Sequence, residues 1–300
     1  MSAHLRDIWR FRELLRNLVR KELKVKYKNS ALGFVWSMLN PLFLLAVYGV
    51  AFAILGTAFD YFTIWLLIGL LVWNLFNVSL IAGTSSITGN AYLVNKVRFP
   101  REVLPLASVG AALVHFFLQS CVLVAILLLL RYNVDWAYVW LIPIALVTLL
   151  VFAAALAILF SAMNVYLRDT GHLLELAMMA WFWLSPILYP YMLVANKLAE
   201  HGITSNILLL NPIAPILITF QRALYGQADI IKPVLDPVTK QPVIDPATGK
   251  QVVNVTHLLP DASVWWYLRN LGIVLVASSL LFLLAIKIFD KAEGNFAEVM

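Results

Sequence analysis

The chain has 300 residues, 62% of them hydrophobic, with a mean hydropathy of +0.85 and a net charge of +6. Only 13% are charged, against about 25% in soluble domains. That composition excludes an ordinary water-soluble enzyme and a disordered chain, and the single cysteine, Cys121, excludes a disulfide scaffold; what remains is an integral membrane protein.

Residues 4–27 read as an amphipathic helix. Ile8, Phe11, Leu15, Leu18 and Val19 share one face at 100° per residue, and Arg6, Arg10, Glu13, Asn17, Arg20, Lys21 and Lys24 share the other. Such a helix is expected to lie in the membrane interface with its basic face toward anionic headgroups. It serves either as a plain topology anchor or also as a contact for a phosphate-bearing substrate or a partner subunit. No short apolar core with a small-residue cleavage site precedes the first span, so no secretory signal peptide is expected.

Six stretches are long and apolar enough to span the membrane: 33–57, 62–82, 105–130, 139–163, 173–190 and 270–288. The runs are uniform rather than alternating, which predicts helices and not a barrel. The fifth is short, carries Glu175 about one turn in, and is expected to break at Ser185-Pro186. Proline is tolerated there only if neighbours or water satisfy the freed carbonyls.

Lys and Arg near the span ends set the orientation. Residues 1–32 with the loops after spans two and four and the C-terminal tail hold 15 of them, and the opposite side holds 7. Both termini are therefore expected in the cytoplasm, and the positive charge reads as a topology signal rather than as nucleic-acid binding.

Between spans two and three, residues 83–103 form a loop with room for a short helix near 87–97, ended by Pro100. It is either a passive connector or a docking site for another protein, with Asn90, Tyr92, Lys96 and Arg98 as candidate contacts. The loop after span four carries Arg168 and Asp169. The large segment 191–269 is expected outside. Its stretch 206–226 is apolar but cut by Pro212 and Pro215, and it carries Asn211, Gln221 and Arg222. Two short re-entrant helices suit it better than a seventh span, which makes it a candidate external gate. A small repeat, DPVTKQPV from Asp236 and DPATGKQVV from Asp245, predicts an external β-hairpin over 234–253.

Catalytic chemistry is not evident. The sequence has no glycine-rich phosphate loop, no serine nucleophile elbow, no histidine pair with metal-ligand spacing and no paired carboxylates suited to glycosyl transfer. His115 and Gln119, one helical turn apart, are expected to satisfy each other or a neighbouring helix. Ion-driven carriers keep charges at membrane depth, and only Glu175 qualifies. Any energy source is therefore expected in another subunit, and no cofactor is expected on this chain. Aromatics at span ends read as interfacial belts. Trp181-Phe182-Trp183 beside the expected break, with Trp36, Tyr48 and Tyr189, are candidates to line a route for a sugar polymer, because ring faces stack on sugar C–H faces.

RKELKVKYKNSALGFVWSMLNP (20–41) resembles the opening signature of ABC-2-type polysaccharide export permeases, the membrane subunits that export O-antigen, teichoic acid, capsule or galactan. NVYLRDTGHLLE (164–175), SPILYP (185–190) and NPIAPILITFQRALYG (211–226) match the same family in order. The resemblance implies an all-α membrane protein with an interface helix (1–32), five spans with a coupling loop (33–190), external gate helices with a hairpin insertion (191–269), and a sixth span with a cytoplasmic tail (270–300). It also implies a homodimer, two copies of a separate ATPase subunit that uses ATP and Mg, and a glycan substrate on a polyprenyl pyrophosphate. The 234–253 repeat is longer than the family pattern. Alternatives are an ABC-2 exporter of a small lipid or drug, a membrane glycosyltransferase, and a non-transporting scaffold of a glycan synthase.

Overall fold

The computed structural model describes residues 10–28, 30, 35–54, 59, 61–97, 99–227, 229–233, 251, 253–294 and 296. In chain order the helices are α1 (Arg12–Tyr27), α2 (Val35–Ile54), α3 (Phe62–Ser85), α4 (Ala91–Lys96), α5 (Val103–Leu129), α6 (Trp136–Val139), α7 (Leu141–Tyr166), α8 (Thr170–Trp183), α9 (Tyr191–Glu200), α10 (Ile213–Leu224) and α11 (Val264–Glu293). Short 3-10 helices occupy Thr88–Asn90 and Ser205–Leu210.

Four helical stretches are long and apolar enough to cross a membrane: Phe62–Ser85, Val103–Leu129, Trp136–Tyr166 and Val264–Glu293. They correspond to the second, third, fourth and sixth expected spans. At 1.5 Å per residue the shortest, 24 residues, extends about 36 Å, enough for a hydrocarbon core of about 30 Å. The first expected span is α2, with 20 residues, of which Leu42–Ile54 is a shorter apolar helix. The fifth departs most from expectation. Helix α8 has 14 residues, about 21 Å, and ends at Trp183, two residues before the expected break. Leu184–Pro190 then runs on without helix.

Helix α3, apolar on nearly every side, lies at the centre, with Trp65, Leu66, Phe76 and Leu80 fully buried. The outer helices keep one apolar face outward. On α11 that face is Ile273, Val276, Leu280 and Leu284, all exposed. Such a stripe is costly in water and suits lipid. Between α3 and α7 the backbones meet at Gly83, where an added Cβ would stand 2.6 Å from the Ala157 Cβ. Small residues permit this approach in apolar surroundings, where helices associate by close packing.

The long helices run up and down, so side chains gather at two ends. At one end Asn164 Nδ2 donates to Thr88 Oγ1 at 3.4 Å, Tyr166 donates to the Ala292 carbonyl at 2.7 Å, and Arg101 Nη1 donates to the Glu293 carbonyl at 2.7 Å. Helix α1 lies at this end. Its apolar face meets protein: Leu18 is buried, and Phe11, Leu14, Leu15 and Val19 pack on a cluster containing Ile87, Val94, Phe99 and Leu104. Its polar face, including Arg10, Glu13, Asn17, Arg20, Lys21 and Lys24, is exposed. At the other end Tyr132 donates to the Tyr225 carbonyl and Tyr138 to the Ala262 carbonyl.

Strands β1 (Asp229–Pro233) and β2 (Val253–His257) pair antiparallel, Ile231 opposite Val255. They flank the Asp-Pro repeat. Residues 234–250, which hold most of the repeat and the turn of the expected hairpin, lie outside the described residues.

Candidate functional site

A groove of about 460 Å³ lies between α2, α3 and α8. Each helix contributes residues at helical spacing. Leu70, Trp73, Asn74, Asn77 and Ile81 come from α3, Leu44 and Tyr48 from α2, and Glu175, Met178, Met179, Phe182 and Trp183 from α8. From Leu70 to Ile81 the rise along α3 is about 16 Å. Tyr48 and Phe182 stack with centroids 6.2 Å apart, and Trp73 meets Phe182 edge-on at 5.6 Å. Asn74 Nδ2 donates to Gln119 Oε1 at 3.1 Å, so the amide that α5 buries is answered from α3. Glu175 stands toward the α1 end, exposed, 3.9 Å from His172.

The groove unites Tyr48, Phe182 and Trp183 of the expected aromatics. The other three lie elsewhere. Trp36 is exposed on α2. Trp181 turns inward, edge-on to Phe76 at 5.3 Å, and its Nε1 donates to Asn211 Oδ1 at 2.9 Å. Trp181 thus faces the core, while its neighbours Phe182 and Trp183 face the groove. Tyr189 belongs to the non-helical segment after α8; its hydroxyl donates to the Trp183 carbonyl at 3.1 Å. Trp73, Asn74 and Asn77 were not among the residues expected to line the route. Two amides one turn apart in a helix otherwise apolar are the signal that could have found them.

Beyond the groove the chain breaks, and side chains from elsewhere satisfy the freed carbonyls. Asn211 Nδ2 donates to the Leu184 carbonyl at 3.3 Å, Gln221 Nε2 to the Pro186 carbonyl at 3.0 Å, and Trp65 Nε1 to the Ile187 carbonyl at 3.1 Å. Asn211 also donates to Ser185 Oγ at 3.1 Å and accepts from the Ile213 N–H. Pro212 precedes the first turn of α10 and Pro215 lies within it, where a missing N–H leaves no hydrogen bond lost. All of Ile213–Ala223 is buried in protein, which is where broken helices are tolerated in membranes. Arg222 is held by Asp135, Nη1 to Oδ2 at 2.9 Å, and lies 4.2 Å over the Tyr138 ring.

At the α1 end, Lys21 Nζ donates to Asn90 Oδ1 at 2.6 Å, and Asn90 Nδ2 donates to the Ser86 carbonyl at 2.8 Å. The 83–103 segment is thereby tied to α1. Within α4, Lys96 Nζ donates to the Tyr92 hydroxyl at 2.9 Å, and Tyr92 is 73% exposed. Arg168, with Thr88, Ala91 and Asn164, lines a cavity of about 370 Å³ beside this segment. Asp169 is exposed at the start of α8, its carbonyl accepting the Leu173 N–H at 3.0 Å. Arg6 and Arg98 lie outside the described residues.

Residues 13–221 match the family described as ABC-2 type transporter. The chain belongs to this family. Similarity extends beyond the matched region. The chain is 32% identical over 299 residues to the O-antigen export system permease protein RfbA of Myxococcus xanthus, covering 99% of each chain. It is 31% identical over 210 residues to the protein of the same name from Klebsiella pneumoniae, covering 70% of this chain and 79% of that one. The ABC-2 match takes in α1, the groove, the break and α10 as far as Gln221. The full-length likeness to the Myxococcus protein also spans β1, β2 and α11.

Proposed function

We propose that this chain is the membrane subunit of an ABC exporter that moves a polyprenyl-pyrophosphate-linked polysaccharide of the O-antigen kind across the cytoplasmic membrane. The groove carries the reading. Its rings Tyr48, Trp73, Phe182 and Trp183 suit sugar C–H faces, and Asn74 and Asn77 suit sugar hydroxyls. Glu175 is the one formal charge among its lining residues. Stacking without tight charged contacts lets a polymer hold and still slide. The full-length likeness to an O-antigen permease supports the same class.

In this reading α2 and α8 complete six spans, with α8 continued by the broken segment. The α1 end is cytoplasmic, as the excess of Lys and Arg there favours. The 83–103 segment, through Asn90, Tyr92, Lys96 and Arg98, receives the motion of a separate ATPase, which binds ATP and Mg on its own account. Arg168 and Asp169 flank the same docking face. Arg6, Arg10, Arg20, Lys21 and Lys24 meet the pyrophosphate, with the Lys21–Asn90 contact joining that face to the docking segment. Asn211, Pro212, Pro215 and Arg222 belong to an external gate. A homodimer with two ATPase copies would set two grooves opposite each other around one route, with Trp36, Trp181 and Tyr189 serving its walls and supports.

The test is to purify the chain with its ATPase and measure ATP hydrolysis and polymer transfer in proteoliposomes. The double variant Phe182→Ala, Trp183→Ala is expected to lower polymer transfer about tenfold, equivalent to roughly 1.4 kcal/mol, while hydrolysis and insertion persist. Lys96→Glu is expected to uncouple hydrolysis from transfer. Polymer transfer indifferent to both changes, or a chain that never associates with an ATPase, would overturn the reading.

A further inference from the structure

A second cavity, of about 800 Å³, opens at the end opposite α1. It lies between the α5–α6 connection, the start of α3 and the end of α10. Among the described residues two non-glycine residues have positive φ, Tyr61 at 53° and Arg131 at 48°, and both line this cavity. Gly226, at φ 82°, lines it as well. Left-handed backbone is unfavourable for residues with a Cβ, and such strain gathers at binding sites.

The strain at Arg131 has a specific form. It closes α5 in a Schellman-type turn, with Tyr132 N donating to the Leu127 carbonyl at 2.9 Å. Glycine closes such turns most easily, yet an arginine stands there. Arg131 has no ion-pair partner among the described residues, whereas the neighbouring cation, Arg222, is engaged by Asp135. The rings beside it are fixed. Tyr61 meets Tyr132 edge-on at 5.2 Å, Tyr132 lies 5.9 Å from Tyr225, and the Tyr132 hydroxyl donates to the Tyr225 carbonyl at 2.8 Å. Burial, then the neighbouring Tyr61, push the Tyr132 pKa up to about 12, so it stays a neutral phenol. Trp136 stands 75% exposed at the rim, and Asn133 adds an amide.

The geometry points to a saccharide-binding site in this cavity, separate from the α2–α3–α8 groove, that prefers acidic sugars. The rings supply stacking faces, Asn133 meets hydroxyls, and Arg131 meets a carboxylate or phosphate on the sugar. The choice of ligand rests on the export reading, which would make the site a holding point for the emerging chain. A phospholipid headgroup could also meet Arg131, but it would leave the ring wall without a partner.

The test uses the full chain in phosphatidylcholine nanodiscs, without the ATPase, titrated with hexagalacturonate and with maltohexaose. Both are expected to bind, hexagalacturonate about tenfold tighter, the ratio a single charge-assisted contact supplies. Arg131→Gly relieves the backbone strain, so its melting temperature should hold or rise while the preference for hexagalacturonate disappears. Trp136→Ala, at an exposed rim position, should weaken both sugars, and Trp265→Ala, an equally exposed ring on α11 outside the cavity and the groove, should leave this binding unchanged. Failure of both sugars to bind, or binding indifferent to Arg131→Gly and Trp136→Ala, would overturn the site. Loss of sugar binding in phosphatidylglycerol nanodiscs would assign the cavity to lipid and overturn it equally. Polymer transfer in the presence of the ATPase is read separately, so the site can fall while the export reading stands, and the reverse.

Discussion

Gln221 donates its Nε2 to the carbonyl of Pro186 at 3.0 Å, across 35 residues of sequence. Both groups are buried. Proline interrupts the helix at one place, and a side chain on another broken helix supplies the hydrogen bond that the interruption frees. Trp65 and Asn211 do the same for Ile187 and Leu184. The break after α8 is therefore held by three elements at once, and α10 is bound to it.

Removing that support should loosen the break. Gln221→Leu leaves the Pro186 carbonyl buried without a partner, at a cost of about 1–3 kcal/mol. Hydrogen exchange of the backbone N–H groups around 184–190 should rise, while α3 and α7 keep their protection. Unchanged exchange there would show that the contact holds nothing.

Gly83 is predicted to be the least tolerant small residue of the α3–α7 contact. Gly83→Ala places a methyl 2.6 Å from the Ala157 Cβ, which is no flexible side-chain tip. Overpacking of this kind costs about 1–3 kcal/mol. Thermal unfolding in detergent should show a lowered Tm, with no comparable loss for Gly49→Ala, where nothing stands within 4 Å.

The Asp135–Arg222 pair should show strong non-additivity. The Arg222 side chain is 10% exposed and that of Asp135 28%. Asp135→Ala leaves a nearly buried guanidinium over the Tyr138 ring without its carboxylate, a loss of about 3 kcal/mol. Asp135→Ala combined with Arg222→Leu removes the uncompensated charge and should recover much of it. A double-mutant cycle measures this; additive losses would mean that the pair contributes nothing as a pair.

Alkaline pH should weaken the Tyr132 contact. Its folded pKa, about 12, lies above the ordinary value of 10.0. The folded state therefore holds the proton longer than the unfolded one. Stability from this group is full below pH 10 and falls as pH rises from there through 12. Unfolding measured across pH 9–12 should decline less steeply for Tyr132→Phe, which has no proton to lose.

The membrane class, the positions of the four long apolar helices, the amphipathic pattern of α1 and the presence of a break near Pro186 were determined by the sequence. Hydropathy and helical period are local properties, so a linear reading reaches them. The fifth segment's true length was not legible. α8 stops at Trp183, and Trp65 of α3, Asn211, and Gln221 of α10 take the carbonyls of Ile187, Leu184 and Pro186 beyond it; those partners lie 27 to 122 residues away. The division of Trp181 from Phe182 was equally hidden, since an aromatic triplet carries no label for which ring faces the core. The covering of α1's apolar face by protein depended on Ile87, Val94 and Phe99 arriving from another segment. The cavity that unites Tyr61 with Arg131 also had no linear signal, because 70 residues and three helices separate the two. Composition specifies which surfaces must leave water; only packing decides which surface meets which.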